Sequence, residues 1–199
     1  MKKVILSAFL ALMLAFTTVF TGGCTQAEFQ AVLNEVGPAV STILQIVALI
    51  KGTPANTSIV TKVDADVAAL NKLYTDFQAA EVANQGNIRN EINAGFATLQ
   101  SDLSSVFAIA QVSDVNTQAK ITALVGLILS AVEIAEAAIP GSAVAASKPV
   151  GLDANSLVDS YNKVLVAKTG NAAVDAFTAK HKIHNHSKFV RVVTLGVAK

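Results

Sequence analysis

The chain has 199 residues, of which 52% are hydrophobic and 15% are charged, and its formal net charge is +1. This apolar fraction excludes an intrinsically disordered chain, and the length suffices for one domain with a hydrophobic core. The near-neutral charge excludes bulk electrostatic attraction to DNA or RNA, so no nucleic-acid partner is expected.

The N-terminal segment has the order of a bacterial secretory signal peptide. Lys2 and Lys3 precede an almost unbroken apolar run over residues 4–20, and the small residues 21–23 lead to Cys24, which is the only cysteine. A short basic region, an apolar stretch and small residues before the cleavage point characterise such signals. We therefore predict that residues 1–23 are a signal peptide.

The stretch Thr21-Gly22-Gly23-Cys24 resembles the lipobox of bacterial lipoproteins, with Thr21 where that family usually has leucine. The resemblance covers this segment only. It implies that the Cys24 thiol carries a covalent diacylglycerol and that Cys24 becomes the mature N-terminus. A lone cysteine in an exported protein would otherwise be an unpaired, oxidisable thiol. In that family aspartate after the cysteine marks inner-membrane retention, so Thr25 implies the outer membrane of a two-membrane cell, on its periplasmic side or at the cell surface.

Two alternatives for this segment remain open. Thr21 and Gly23 also present small side chains to ordinary signal peptidase, which would release a soluble protein. An uncleaved apolar run over residues 4–20 would be at the short limit for a membrane-spanning anchor.

The residues after Cys24 predict three long amphipathic helices. In residues 26–51 apolar side chains recur at helical spacing, with a kink at Gly37-Pro38 and an end at Gly52. Two further helices carry apolar residues at alternating spacings of three and four, which is a heptad-like pattern. They are out of phase by one residue, and we place a hairpin turn near Gly86 to account for the difference.

Ser113 or Asp114 is suited to cap a fourth long helix. Residues 121–139 are apolar on almost every side, which indicates a helix buried in the bundle. Glu133 and Glu136 argue against a transmembrane span. They share a helical face, and we interpret them as a polar edge rather than as an acid–base or metal pair.

The C-terminal part predicts shorter elements packed on the same domain. Residues 141–152 are predicted to form a loop. Asp153 and Asn171 are suited to cap two short helices, and Gly170 is predicted to end the first of them. Residues 189–197 weakly resemble a strand. The predicted fold is all-α: an antiparallel helical bundle over residues 24–140, with short helices and a basic tail over residues 153–199.

All three histidines of the chain, His181, His184 and His186, fall within six residues. Imidazole nitrogens at such spacing form an open, weak site for Zn²⁺, Cu²⁺ or Ni²⁺. The competing interpretation is a solvated polar turn. Apart from the lipid on Cys24, no cofactor is expected.

Positive charge is concentrated at the C-terminus, where no acidic residue follows Asp175. The cations of this basic tail are Lys180, Lys182, Lys188, Arg191 and Lys199. Such a segment suits contact with an anionic surface, either lipid head groups or cell-wall polymer. An ordinary solubilising terminus is the alternative.

The chain lacks the common catalytic motifs: no phosphate-binding glycine loop, nucleophile elbow, H-E-x-x-H or C-x-x-C occurs. The sequence thus favours a non-enzymatic, lipid-anchored scaffold or interaction module of the cell envelope. One alternative is a membrane-active or apolar-ligand-binding bundle that uses the apolar segments 39–50 and 121–139. The other is a weak metal-binding protein.

Overall fold

The computed structural model describes residues 26–139 and 154–183, and within these ranges every regular element is a helix. The helices are α1 (Gln26–Asn34), α2 (Val36–Lys51), α3 (Thr57–Ala79), α4 (Val82–Ile109), α5 (Val115–Ala137), α6 (Ala154–Val166) and α7 (Ala172–Thr178). The predicted all-α fold is confirmed. The predicted signal peptide 1–23, loop 141–152 and strand 189–197 lie outside the described residues.

The four long helices form an antiparallel bundle in which α1 and α2 together count as one helix. Phe29 of α1 stacks on Tyr74 of α3, with 4.0 Å between ring centroids. At the far end of α2, Lys51 Nζ donates a 3.1 Å hydrogen bond to the main-chain oxygen of Ile109. Between α4 and α5, Gln100 Nε2 donates a 3.2 Å hydrogen bond to Glu136 Oε2. These pairings give up-down-up-down topology, and the buried apolar faces of all four helices meet in one core.

The first helix is interrupted at Glu35, between α1 and α2. Pro38 has no N–H to donate to the carbonyl one turn earlier, so the helix loses a hydrogen bond there. We predicted a kink at Gly37-Pro38, and the helix is interrupted three residues before Pro38. Both sides of the break are buried, since Leu33 and Val40 are each 0% exposed.

Helix ends follow local sequence signals. Gly52 ends α2 in the left-handed region, with φ of 63°. Asn56 accepts a hydrogen bond from the Ser58 N–H at the start of α3. Asp114 accepts one from the Thr117 N–H at the start of α5, and Asn171 accepts two at the start of α7. Each of these side chains satisfies N–H groups that lack a partner inside the helix.

Two predicted boundaries are wrong. The α3–α4 hairpin lies at residues 80–81, and Gly86 lies inside α4. One glycine inside a helix lowers helix stability by only about 1 kcal/mol relative to alanine, and a single neighbouring contact can offset this loss. Here the Gln85 side chain donates a 3.2 Å hydrogen bond to the Ala80 carbonyl at the turn. Similarly, α6 ends at Val166 rather than beside Gly170.

The connection from α6 to α7 is held against α5 by a buried lysine. Lys120 Nζ donates to the main-chain oxygen of Leu165 at 2.9 Å and to Thr178 Oγ1 at 3.4 Å. Asp175 Oδ1 lies 4.0 Å from the same nitrogen. The short C-terminal helices are thus fixed on the bundle, which positions α6 beside α1 and α2.

Candidate ligand-binding cleft

Two adjoining cavities lie where α1, α2, α5 and α6 meet the chain that follows α7. The inner cavity is about 50 Å³, and apolar side chains dominate its lining. The outer cavity is about 310 Å³ and is lined by polar and apolar groups. Both cavities are bordered by Glu35, Ala39, Tyr161 and Ile183. We treat them as one feature, the α2–α6 cleft.

The α2–α6 cleft has an apolar interior because it lies between two apolar helices. Val36 of α2, Leu127 of α5 and Leu157 of α6 line the inner cavity, and each is less than 10% exposed. Ala131 contributes a small side chain, which leaves the space open. Such a surface favours the apolar part of a ligand over water.

Glu35 places a carboxyl group in the wall of the cleft, at the break between α1 and α2. It is half-buried and makes neither an ion pair nor a side-chain hydrogen bond with the described residues. Burial raises the pKa of the Glu35 carboxyl above its usual range. A desolvated carboxylate of this kind gains free energy when a cationic group approaches it.

Tyr161 is 5% exposed, and its hydroxyl has no hydrogen-bond partner of good geometry among residues 26–139 and 154–183. Burial raises the pKa of Tyr161 far above its usual range; the adjacent Thr42 hydroxyl opposes this, and the charge of Glu35 adds to it. Thr42 donates its own proton to the Pro38 carbonyl at 2.9 Å. The Tyr161 hydroxyl therefore stays protonated, with the Thr42 oxygen as its neighbouring acceptor.

The chain after α7 supplies the basic wall. Asn162 exchanges two hydrogen bonds with the main chain of Ile183, at 2.8 and 3.0 Å, and so fixes this segment against α6. Lys180, His181 and Lys182 are exposed and border the outer cavity. The rim of the cleft is consequently positive, while Glu35 makes the α1–α2 wall negative.

His181 lies three residues beyond the end of α7. Its ring stacks on Phe177, and Nδ1 lies 2.8 Å from the Phe177 carbonyl oxygen. Since a carbonyl only accepts, Nδ1 carries the proton and Nε2 is left for another partner. No group of three or more His, Cys, Asp or Glu side chains within the described ranges is placed to hold a metal ion. His184 and His186 lie outside those ranges, so the three-histidine metal site stays a prediction.

Some of the other predicted site residues lie within the described ranges and some lie outside them. Lys180 and Lys182 lie at the cleft, whereas Cys24, Lys188, Arg191 and Lys199 fall outside the described residues. The lipid anchor and the full basic tail therefore stay predictions.

Glu133 and Glu136 behave as a polar edge of α5. Glu133 is exposed, and Glu136 is half-buried with Gln100 donating to it. Burial raises the pKa of the Glu136 carboxyl; the Gln100 hydrogen bond opposes this and the charge of Glu133 adds to it.

Two stretches, Phe29–Lys51 and Val115–Ala137, are long and apolar enough to cross a membrane by length and composition. In the most apolar window of each, 56% and 44% of the residues are buried inside the bundle. Core helices of a soluble protein pass the same test, so this is weak evidence for a span. The structure accounts for both stretches as bundle helices.

Sequence patterns did not single out Glu35, Tyr161 or Lys120. Glu35 had one local signal, because it is a charged residue between the apolar positions Leu33 and Val36. Lys120 had a comparable one, as a cation directly before the apolar stretch of α5. Tyr161 had none, since an aromatic residue at helical spacing is usually part of the core.

Comparison with known proteins gives no further guide: no family model matches the chain, and neither the curated proteins nor the solved structures contain a match.

Proposed function

We propose that this protein is a lipid-anchored component of the bacterial cell envelope, in which the helical bundle is a non-enzymatic scaffold or interaction module. The lipid would be attached at Cys24, and the bundle would lie at the outer membrane, on the periplasmic side or at the cell surface. The observation that carries the proposal is the lone cysteine directly after Gly22-Gly23 and the apolar leader.

The short chain segment between Cys24 and the core determines where a lipid-anchored bundle would lie. Helix α1 begins at Gln26, and Phe29 is already 1% exposed in the bundle core. The five residues from Cys24 to Phe29 span at most about 18 Å even when fully extended. A lipid on Cys24 would therefore hold the folded bundle against the bilayer rather than on a long tether.

The basic tail suits the same location. Lys180 and Lys182 are exposed, and three further cations follow in the sequence. A tethered bundle meets an anionic surface at high effective concentration, so weak contacts with lipid head groups or cell-wall polymer would be populated.

The test is to express the full chain in a bacterium with two membranes and compare it with Cys24→Ser. We expect the wild-type protein to fractionate with membranes, to lack residues 1–23 and to carry acyl mass at Cys24 in intact-mass analysis. Cys24→Ser should lose the acyl mass and remain unprocessed or leave the membrane. Thr25→Asp, a control that keeps the cysteine, should stay acylated but move to the inner-membrane fraction.

Two results would contradict the proposal. A soluble exported product with an unmodified Cys24 thiol would show cleavage by ordinary signal peptidase. A membrane-bound product that retains residues 1–23 and carries no acyl group would show an uncleaved anchor.

The α2–α6 cleft favours a second candidate function, binding of an amphipathic small molecule. The sequence suggested the segments 39–50 and 121–139 for this role, and the apolar cavity is lined by Leu127, Ile128 and Ala131 of the second segment but only by Ala39 of the first.

A further inference from the structure

We propose that the α2–α6 cleft binds a small zwitterion with an apolar side chain, of the class of apolar α-amino acids and their dipeptides. The proposal concerns only the cleft-lining residues between 31 and 131 and between 157 and 183, and it does not depend on lipid attachment at Cys24.

The two charged walls of the cleft match a zwitterion. Glu35 offers a carboxylate on the α1–α2 side, and Lys180 and Lys182 offer ammonium groups on the segment after α7. None of the three forms an ion pair within the part of the chain that the structure describes. A ligand ammonium would pair with Glu35, and a ligand carboxylate would pair with the lysines.

The inner cavity supplies the place for an apolar side chain. It lies directly behind Glu35 and Tyr161, and Val36, Leu127 and Leu157 line it. At about 50 Å³ it takes a short alkyl group rather than a long acyl chain. The outer cavity, about 310 Å³, is at the lower end of the range for small-molecule sites. Both volumes therefore select a ligand of amino-acid or dipeptide size.

Tyr161 provides an independent reason to expect a polar ligand group. Its buried hydroxyl makes no hydrogen bond of good geometry in the described structure, where the Thr42 hydroxyl is its neighbour, and its side chain borders both cavities. Leaving such a donor unpaired costs about 1–3 kcal/mol in proteins generally. A ligand carboxylate or peptide oxygen that reached this hydroxyl would satisfy it.

Other small amphiphiles fit less well. A fatty acid leaves Glu35 without a cation and brings a second carboxylate close to it. Phosphoethanolamine, the head group of a zwitterionic lipid, matches both charges but has no apolar group for the inner cavity.

The test is isothermal titration calorimetry on residues 24–199 carrying Cys24→Ser, with L-leucyl-L-leucine as the probe. Circular dichroism first verifies that the sample is helical. We expect saturable binding of the dipeptide. The N-acetylated dipeptide, its C-terminal amide and glycylglycine should each bind at least about tenfold more weakly, because each lacks one recognised group.

Matched variants locate the binding site. Glu35→Gln should weaken dipeptide binding about tenfold or more, whereas Glu133→Gln, at an exposed position of α5, should not. Tyr161→Phe should weaken it about threefold to tenfold, whereas Tyr74→Phe in the bundle core should not. Lys180→Gln combined with Lys182→Gln should weaken it, with the exposed Lys163→Gln as control. Amide shifts in NMR spectra should move at Ile183 and Tyr161 on titration.

Several outcomes would overturn the proposal. Among them are no heat and no amide shifts with the dipeptide, and equal affinity for the N-acetylated form. Equal effects of the cleft and control variants would place binding elsewhere. Tighter binding of phosphoethanolamine than of the dipeptide would identify the cleft as a lipid head-group site instead.

Discussion

The ammonium nitrogen of Lys120 lies 2.9 Å from the main-chain oxygen of Leu165, and Lys120 is only 5% exposed. Leu165 is in the last turn of α6, where carbonyl groups lack partners within the helix. The helix dipole places partial negative charge at this end. The same nitrogen reaches Thr178 at the end of α7 and faces Asp175 at 4.0 Å. One side chain thus links α5 to both short helices and holds α6 at the cleft.

Replacing Lys120 with methionine should destabilise the fold by about 2 kcal/mol. Methionine has a similar volume but leaves the Leu165 carbonyl unpaired and Asp175 without its cation. Urea unfolding followed by circular dichroism measures the change. The control is Lys72→Met, which breaks an exposed pair with Asp76 at 2.6 Å and should cost less than about 0.5 kcal/mol. Equal losses in the two variants would contradict a buried structural role for Lys120.

Asp175 should make the C-terminal helices sensitive to acid. Hydrogen bonds from Thr169 and Gly170, together with Lys120, hold the pKa of Asp175 below its ordinary value of 3.8, against some desolvation. A folded pKa below the unfolded one gives stability that is complete above about pH 4 and is lost as pH falls through the folded pKa. Thermal unfolding from pH 7 to pH 2 should show this loss in the wild type.

Asp175→Asn is the control for that experiment. It should be less stable than the wild type at pH 7, and the difference should shrink below pH 3.8, the ordinary pKa of the aspartate. A difference that stays constant with pH would show that the carboxylate charge is not the stabilising feature.

Asp66 should have the opposite pH dependence. Burial and the neighbouring Asp102 carboxyl of α4 raise the pKa of Asp66, while Lys62 lowers it. A folded pKa above the unfolded value means that the charged form opposes folding, so stability is lost as pH rises through the folded pKa. Asp66→Asn should therefore raise the melting temperature at pH 7 and have no such benefit below pH 3.8.

The exposed Asp64, on the same helix, provides the control. Asp64→Asn should leave the melting temperature nearly unchanged at both pH values. If Asp66→Asn raised stability by the same amount at pH 3 and pH 7, neither burial of the Asp66 charge nor its repulsion by Asp102 would be the cause.

Gly95 and Gly126 should respond differently to alanine. A Cβ at Gly95 would lie 2.9 Å from Leu70 Cδ2, and Leu70 is 0% exposed, so the core must shift. Overpacking should outweigh the better helix propensity and cost about 1 kcal/mol net. A Cβ at Gly126 meets nothing within 4 Å, so Gly126→Ala should stabilise by about 0.5–1 kcal/mol. Chemical denaturation of both variants measures whether each substitution raises or lowers the free energy of unfolding. An increase for Gly95→Ala would show that Leu70 has room to move.

The sequence alone determined the features that depend on neighbouring residues. Apolar spacing identified the long helices, and Asp114 and Asn171 were recognised as caps because a short side-chain oxygen satisfies the N–H groups just after it. Gly52 ended α2 for a similar local reason, since glycine adopts the left-handed conformation at low cost. The predictions of a secretion signal and of lipid attachment at Cys24 likewise depend only on the order of adjacent residues.

The tertiary structure decided which helix faces meet, and this created the cleft and the lysine contacts. Glu35, Tyr161 and Lys180 are far apart in the chain, and they border one cavity because α6 packs beside α1 and α2. Helical periodicity says which face of a helix is apolar but not which partner covers it. The hairpin position shows the same limit, because Gly86 is compatible with both a turn and a helix. In the structure Gly86 lies inside α4, and the Gln85 side chain bonds to the Ala80 carbonyl at the turn.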